Sequence, residues 1–281
     1  MDLSCKESHR VITATNDKVI FGDPRVVANM LRDEVLYVPK CDYFEQVQTD
    51  IQPFMRKVVT TWMVEVCEEQ MCEDQVLPLA INLLDRFLCE CNIKRQQFQL
   101  LGATCLLIAS KMRSTNLLPI DLLCAYTDYS VTYEHIMSWE QLVLSKIHWN
   151  VASITAFDYV DHIIERSSWS QESSLIRRHA HTLVSVCYTE PSLIRAPPSL
   201  IAAACISSAL RGLKLPSAQI ALLDICTLVS LPPSRVELLV VLIDKEVQKV
   251  APSPPQQPKL AGYESPQYGP DTPTRVEDIY F

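Results

Sequence analysis

Two stretches constrain this chain more than any others. Residues 101–110 read Leu-Gly-Ala-Thr-Cys-Leu-Leu-Ile-Ala-Ser, and residues 200–206 read Leu-Ile-Ala-Ala-Ala-Cys-Ile. As helices, both are apolar or small on every side and leave no charged face for water. A helix of that kind belongs at the centre of a bundle, surrounded by other helices. The two centres lie about a hundred residues apart, a spacing too long for a solenoid repeat and suited to two domains in tandem.

The sequence around each centre supplies the surrounding helices. Before the first, Phe54, Val58, Trp62 and Val66 recur every fourth residue over 53–67, and Leu77, Ile81, Leu84 and Leu88 mark a helix starting at Asp74. The central helix spans 96–112. Pro119 then opens a short helix ending near Tyr126, and Thr132 caps one that reaches Ile147. The second half repeats the plan over 155–164, 172–188, 199–210, 217–227 and 233–250, with Pro197-Pro198 opening its centre. Asp23-Pro24 reads as a cap followed by a first-turn proline, starting a further helix with Val27, Met30 and Leu31 at helical spacing. With only 5 glycines in 281 residues, a β-fold rich in tight turns is disfavoured. The expected fold class is all-α: two tandem five-helix domains, 21–151 (with a preceding helix) and 152–250. A polar arm, 1–20, and a Pro/Gln/Ser/Gly tail, 251–281, are expected to be disordered.

Charge and motif content then exclude function classes. A net charge of -8 disfavours nucleic-acid and membrane-surface binding, both of which need basic patches. No apolar run reaches membrane length. The 11 cysteines make no metal set, since Cys67/Cys72 and Cys89/Cys91 are not C-x-x-C pairs. Most lie in apolar helical runs, where a thiol acts as a small hydrophobe in a reducing compartment. His179 and His181, two apart on a helix, face different directions. There is no glycine-rich phosphate loop, no G-x-S-x-G elbow and no H-E-x-x-H pair. No catalytic residue, metal or cofactor is therefore expected, and the chain reads as a binding module.

Residues 55–67, Met-Arg-Lys-Val-Val-Thr-Thr-Trp-Met-Val-Glu-Val-Cys, resemble the first helix of the cyclin box. Leu84-Asp85-Arg86-Phe87-Leu88 is similar to the end of its second helix. Residues 100–105 with Ala109-Ser110-Lys111-Met112 resemble the third, and Tyr126-Thr127-Asp128 the turn before the fifth. The wording around Glu68-Glu69-Gln70 and 102–105 points to the D type. The resemblance implies two tandem cyclin boxes and a non-catalytic subunit that activates a cyclin-dependent kinase of the 4/6 class, driving G1/S progression.

Several residues carry roles by that resemblance. Lys111 and Glu140 sit on otherwise apolar helical stripes, where an unpaired charge is costly. In cyclins this Lys/Glu pair contacts the kinase's regulatory helix. Met55, Val59 and Trp62, spaced i, i+4 and i+7, would form a patch that docks R-x-L motifs of substrates and of Cip/Kip-type inhibitors. Leu3, Cys5 and Glu7 make an L-x-C-x-E motif of the kind that docks onto retinoblastoma-family pocket proteins. Thr272, Pro273 and Thr274 resemble a D-type phosphodegron, implying phosphorylation, nuclear export, and destruction through a ubiquitin ligase. Nuclear and cytoplasmic shuttling is the localisation that follows. Two other readings use the same double unit: a cyclin of a transcription kinase, and a cyclin-fold transcription factor. The first lacks a reason for both terminal motifs, and the second wants a basic face.

Overall fold

The structure, a computed structural model, describes residues 17–167, 173–215 and 218–250. Among these residues the regular elements are helices, with no strand. The first helix of the described residues is α1 (Lys18–Gly22), capped by the Asp17 carboxylate, which accepts from the Val19 N–H at 2.8 Å. In α2 (Pro24–Asp33), Asp23 caps and Pro24 fills the first turn. Residues 17–20, which composition assigns to a disordered arm, thus belong to a capped helix. A cap and a ring contact account for the difference, since Phe21 stacks on His162 with centroids 4.5 Å apart.

After the short α3 (Tyr43–Gln46) come α4 (Pro53–Glu69), α5 (Val76–Glu90), α6 (Phe98–Arg113), α7 (Ile120–Tyr126) and α8 (Tyr133–Lys146). Every residue of α6 from Leu100 to Ser110 is buried, as expected of a helix with no polar face. Its two buried hydroxyls are satisfied within the helix: Thr104 donates to the Leu100 carbonyl at 2.7 Å and Ser110 to Leu107 at 2.8 Å. The plan repeats in α9 (Ala156–Arg166), α10 (Ser173–Thr189), α11 (Pro198–Gly212), α12 (Ala218–Leu228) and α13 (Pro233–Val250). Here α11 is the centre, buried without a break from Pro198 to Leu210.

Two hydrophobic cores result, one around α6 and one around α11. Helix α2 precedes the first bundle in the chain but packs on the second core, through Val27, Met30 and Leu31. Glu34, just beyond α2, is buried and accepts from the Ser199 N–H at 2.9 Å and its hydroxyl at 2.7 Å. A carboxylate thereby caps the start of α11, where the helix dipole favours negative charge. The described residues as far as Gln248 form one compact unit.

Candidate functional site

Helix α4 organises the surface. Its fourfold apolar repeat suggests a single core-facing stripe, but the structure splits that stripe. Val66 is buried, whereas Phe54 and Val58 are 64% and 65% exposed. The buried face of α4 is instead Arg56, Thr60, Met63, Val66 and Cys67. Arg56 goes inside because four hydrogen bonds meet it there. Its Nε and Nη2 donate to the Asp85 carboxylate on α5 at 2.8 and 2.7 Å. Nη1 and Nη2 donate to the carbonyls of Thr189 and Tyr188, at the end of α10, at 3.1 and 2.9 Å. Burial disfavours the guanidinium charge, but the Asp85 carboxylate outweighs it and raises the Arg56 pKa. The Tyr43 hydroxyl completes the cluster by donating to Asp85 at 2.8 Å. Burial and the Asp85 charge both push the Tyr43 pKa up. Lys57, the next residue, pairs with Glu190 and lies 3.9 Å from Glu246. These contacts join the two bundles, and reading α4 by its apolar periodicity misses them. One signal was available: Asp85 stands among Leu83, Leu84, Phe87 and Leu88, a setting where a carboxylate needs a cation.

With Arg56 turned inward, the opposite face of α4 is left open. Phe54, Met55, Val58, Val59 and Trp62 line a groove of about 560 Å3 against Phe98 and Gln99 at the start of α6. Met55, Val59 and Trp62, a stripe by spacing and a docking patch by the cyclin resemblance, all line this groove. The Trp62 indole N–H donates to the Tyr126 carbonyl at 3.3 Å, which fixes the ring's orientation. Gly102 lies beneath the groove. A Cβ there would stand 3.1 Å from Val59 Cγ1 and 3.3 Å from Trp62, so glycine permits the close approach of α4 and α6.

Lys111 lies in the last turn of α6 and Glu140 midway along α8. The structure brings them together, with Nζ 2.5 Å from Oε1 and side-chain exposures of 43% and 13%. Each charge on its apolar stripe thus has the other as partner. Exposed hydrophobic side chains stand on the same two elements: Met112 beside Lys111, and Tyr133 and Met137 seven and three residues before Glu140. Leu117, in the loop after α6, is 57% exposed. The ion pair thus has exposed apolar side chains on both of the helices that carry it.

Leu3, Cys5 and Glu7, and Thr272, Pro273 and Thr274, lie outside the described residues. Among the described residues no group of three or more His, Cys, Asp or Glu is placed to hold a metal ion. No single helix there is long and apolar enough to cross a membrane.

The family description "Cyclin, N-terminal domain" matches residues 25–152, and "Cyclin, C-terminal domain" matches 154–269. The chain belongs to the cyclin family. Within it the D-type members are close relatives. The G1/S-specific cyclin-D2 of Rattus norvegicus is 45% identical over 215 residues, covering 76% of this chain and 74% of the relative. The human G1/S-specific cyclin-D3 is 43% identical over 212 residues, 75% of this chain and 73% of that one. In fold, the crystal structure of a viral cyclin from herpesvirus saimiri superposes with a TM-score of 0.71 at 21% identity, covering 81% of this chain and 98% of the other. As a D-type cyclin the chain is a non-catalytic regulatory subunit of a cyclin-dependent kinase.

Proposed function

We propose that this cyclin binds and activates a cyclin-dependent kinase of the 4/6 class, directs it to retinoblastoma-family proteins and so promotes G1/S progression. The observation that carries this reading is the Lys111–Glu140 pair set in an exposed apolar surface on α6 and α8. A kinase regulatory helix docked there would be held with its glutamate against the ATP-binding lysine, so activation is a matter of positioning. The α4 groove suits an R-x-L leucine: it is apolar, pre-formed and anchored by an aromatic ring. Substrates and Cip/Kip-type inhibitors would share it. The motif Leu3, Cys5, Glu7 would add a second hold on pocket proteins. Phosphorylation of Thr272, before Pro273 and Thr274, would lead to nuclear export and a ubiquitin ligase, giving a protein that shuttles between nucleus and cytoplasm.

Charge reversal tests the kinase surface. Lys111→Glu or Glu140→Lys should each weaken association with the purified kinase subunit by about 2–5 kcal/mol, the scale for a desolvated charge left facing its like. Folding should hold, because a partly exposed ion pair is worth only about 0–1 kcal/mol. The double reversal restores the internal pair and not the partner's contacts, so binding should stay lost. Binding recovered by the double reversal would mean that the two residues serve the fold alone.

A further inference from the structure

Cys67 and Cys72 take no part in the surfaces described above, yet the end of α4 brings them together. Met71 has a left-handed φ of 47°. The Cys72 N–H donates to the Cys67 carbonyl at 2.9 Å, and the Met71 N–H donates to the Glu68 carbonyl at 3.2 Å. This six-to-one and five-to-two pattern is a Schellman closure, which folds the sixth residue back against the first, normally as a contact between two apolar side chains. Here both residues are cysteines. Covalent bond lengths and the 2.9 Å hydrogen bond cap their Cα separation at about 7 Å. Bends along that path bring it into the range of about 4.4–6.8 Å that disulfides span.

The two thiols differ in surroundings. Cys67 is buried and Cys72 half-buried, and both line an open cleft of about 470 Å3 whose far wall carries Arg178 and His181 of α10. Interaction with Cys67 lowers the Cys72 pKa against the opposing effects of burial and Glu73, while Cys72 and burial together raise the Cys67 pKa. Cys187 and Cys205 offer a contrast: their sulfurs are 3.6 Å apart, but both are buried away from solvent.

We propose that Cys67 and Cys72 form a redox-active pair, in which Cys72 reacts with hydroperoxides through the open cleft and Cys67 then closes an intramolecular disulfide. The Cys72 thiolate attacks one peroxide oxygen, the O–O bond breaks, and a sulfenic acid and hydroxide form; the hydroxide takes up a proton and leaves as water. The Cys67 sulfur then displaces the sulfenyl oxygen, which departs with the Cys67 proton as a second water. Two thiols are oxidised by two electrons and one hydrogen peroxide is reduced.

The test uses the full chain, reduced and then treated with a small excess of hydrogen peroxide near neutral pH. Alkylation and peptide mapping without reductant follow. The peptide holding Cys67 and Cys72 should be two hydrogens lighter, and dithiothreitol should reverse the change. Without oxidant, Cys72 should alkylate about tenfold faster than the half-buried Cys91, since rate follows thiolate fraction and access. In Cys67→Ser, dimedone should trap a Cys72 sulfenic acid; in Cys72→Ser, oxidation at this site should vanish. Because Cys67 is buried, serine there risks unfolding the chain, so the untouched chain and Cys72→Ser decide the matter without it. A Cys67–Cys72 peptide that stays reduced, or one that pairs with other cysteines instead, would overturn the proposal.

Discussion

Arg56→Ala removes the centre of the joint between the two bundles. The loss is four hydrogen bonds from a charged guanidinium, two of them to the Asp85 carboxylate. Asp85 is left as a carboxylate only 5% exposed, with the Tyr43 hydroxyl as its remaining side-chain donor. Two carbonyls at the end of α10, those of Tyr188 and Thr189, lose their donors as well. Stranding one member of a buried ion pair costs about 3–5 kcal/mol. With a urea slope of about 2 kcal/mol per molar, the unfolding midpoint should fall by about 2 M. Urea titration followed by circular dichroism reads this directly. The double substitution Arg56→Met with Asp85→Leu should cost clearly less, because both charges leave together and only Tyr43 and the α10 carbonyls stay unsatisfied. If Arg56→Ala unfolded within about 1 kcal/mol of the wild type, the buried joint would be wrong, since a loss that small belongs to a solvated surface pair.

The other expectations are more local. Gly102→Ala forces a methyl against Val59 and Trp62, so it should destabilise the fold by about 1–3 kcal/mol and weaken binding of an R-x-L peptide; fluorescence-polarisation titration checks the second effect. Normal peptide affinity in that variant would show that the groove floor tolerates displacement and that α4 is not held as described. Thr272→Ala should lengthen cellular half-life without changing kinase association, measured by translation block and immunoblotting; an unchanged half-life in dividing cells removes the degron. Cys5→Gly should reduce co-precipitation of pocket proteins and leave the melting temperature unmoved, and a normal yield of pocket protein would remove the amino-terminal motif from the account.

Much of the architecture was legible because it rests on local rules. The all-round apolar runs at 101–110 and 200–206 could only be central helices, and α6 and α11 are buried along those runs. Asp23-Pro24 and Thr132 mark helix starts through capping chemistry that acts within three residues. What escaped the sequence depends on contacts between distant residues. Periodicity shows that Phe54, Val58 and Trp62 share a face of α4, but not whether that face meets core or solvent. Arg56 decides the question by turning inward to Asp85 and α10, partners 29 and more than 130 residues away. The same limit hid the docking of α2 on the second core and the Glu34 cap on α11, which link positions 165 residues apart. The meeting of Lys111 and Glu140 is likewise tertiary: each stripe shows a charge in need of a partner, and neither says that the other supplies it.

A positioning subunit shows its activity only together with its kinase. Purified chain, purified kinase subunit of the 4/6 class and a retinoblastoma-derived substrate should be assayed for phosphate transfer separately and together. The chain alone should transfer none. The mixture should exceed the kinase alone by about 100-fold or more, the scale on which misplacing a catalytic group by about 1 Å is felt. Lys111→Glu should abolish that gain while keeping its helical signal. A wild-type chain that leaves the kinase at its basal rate, or a Lys111→Glu chain that stimulates it fully, would contradict the account.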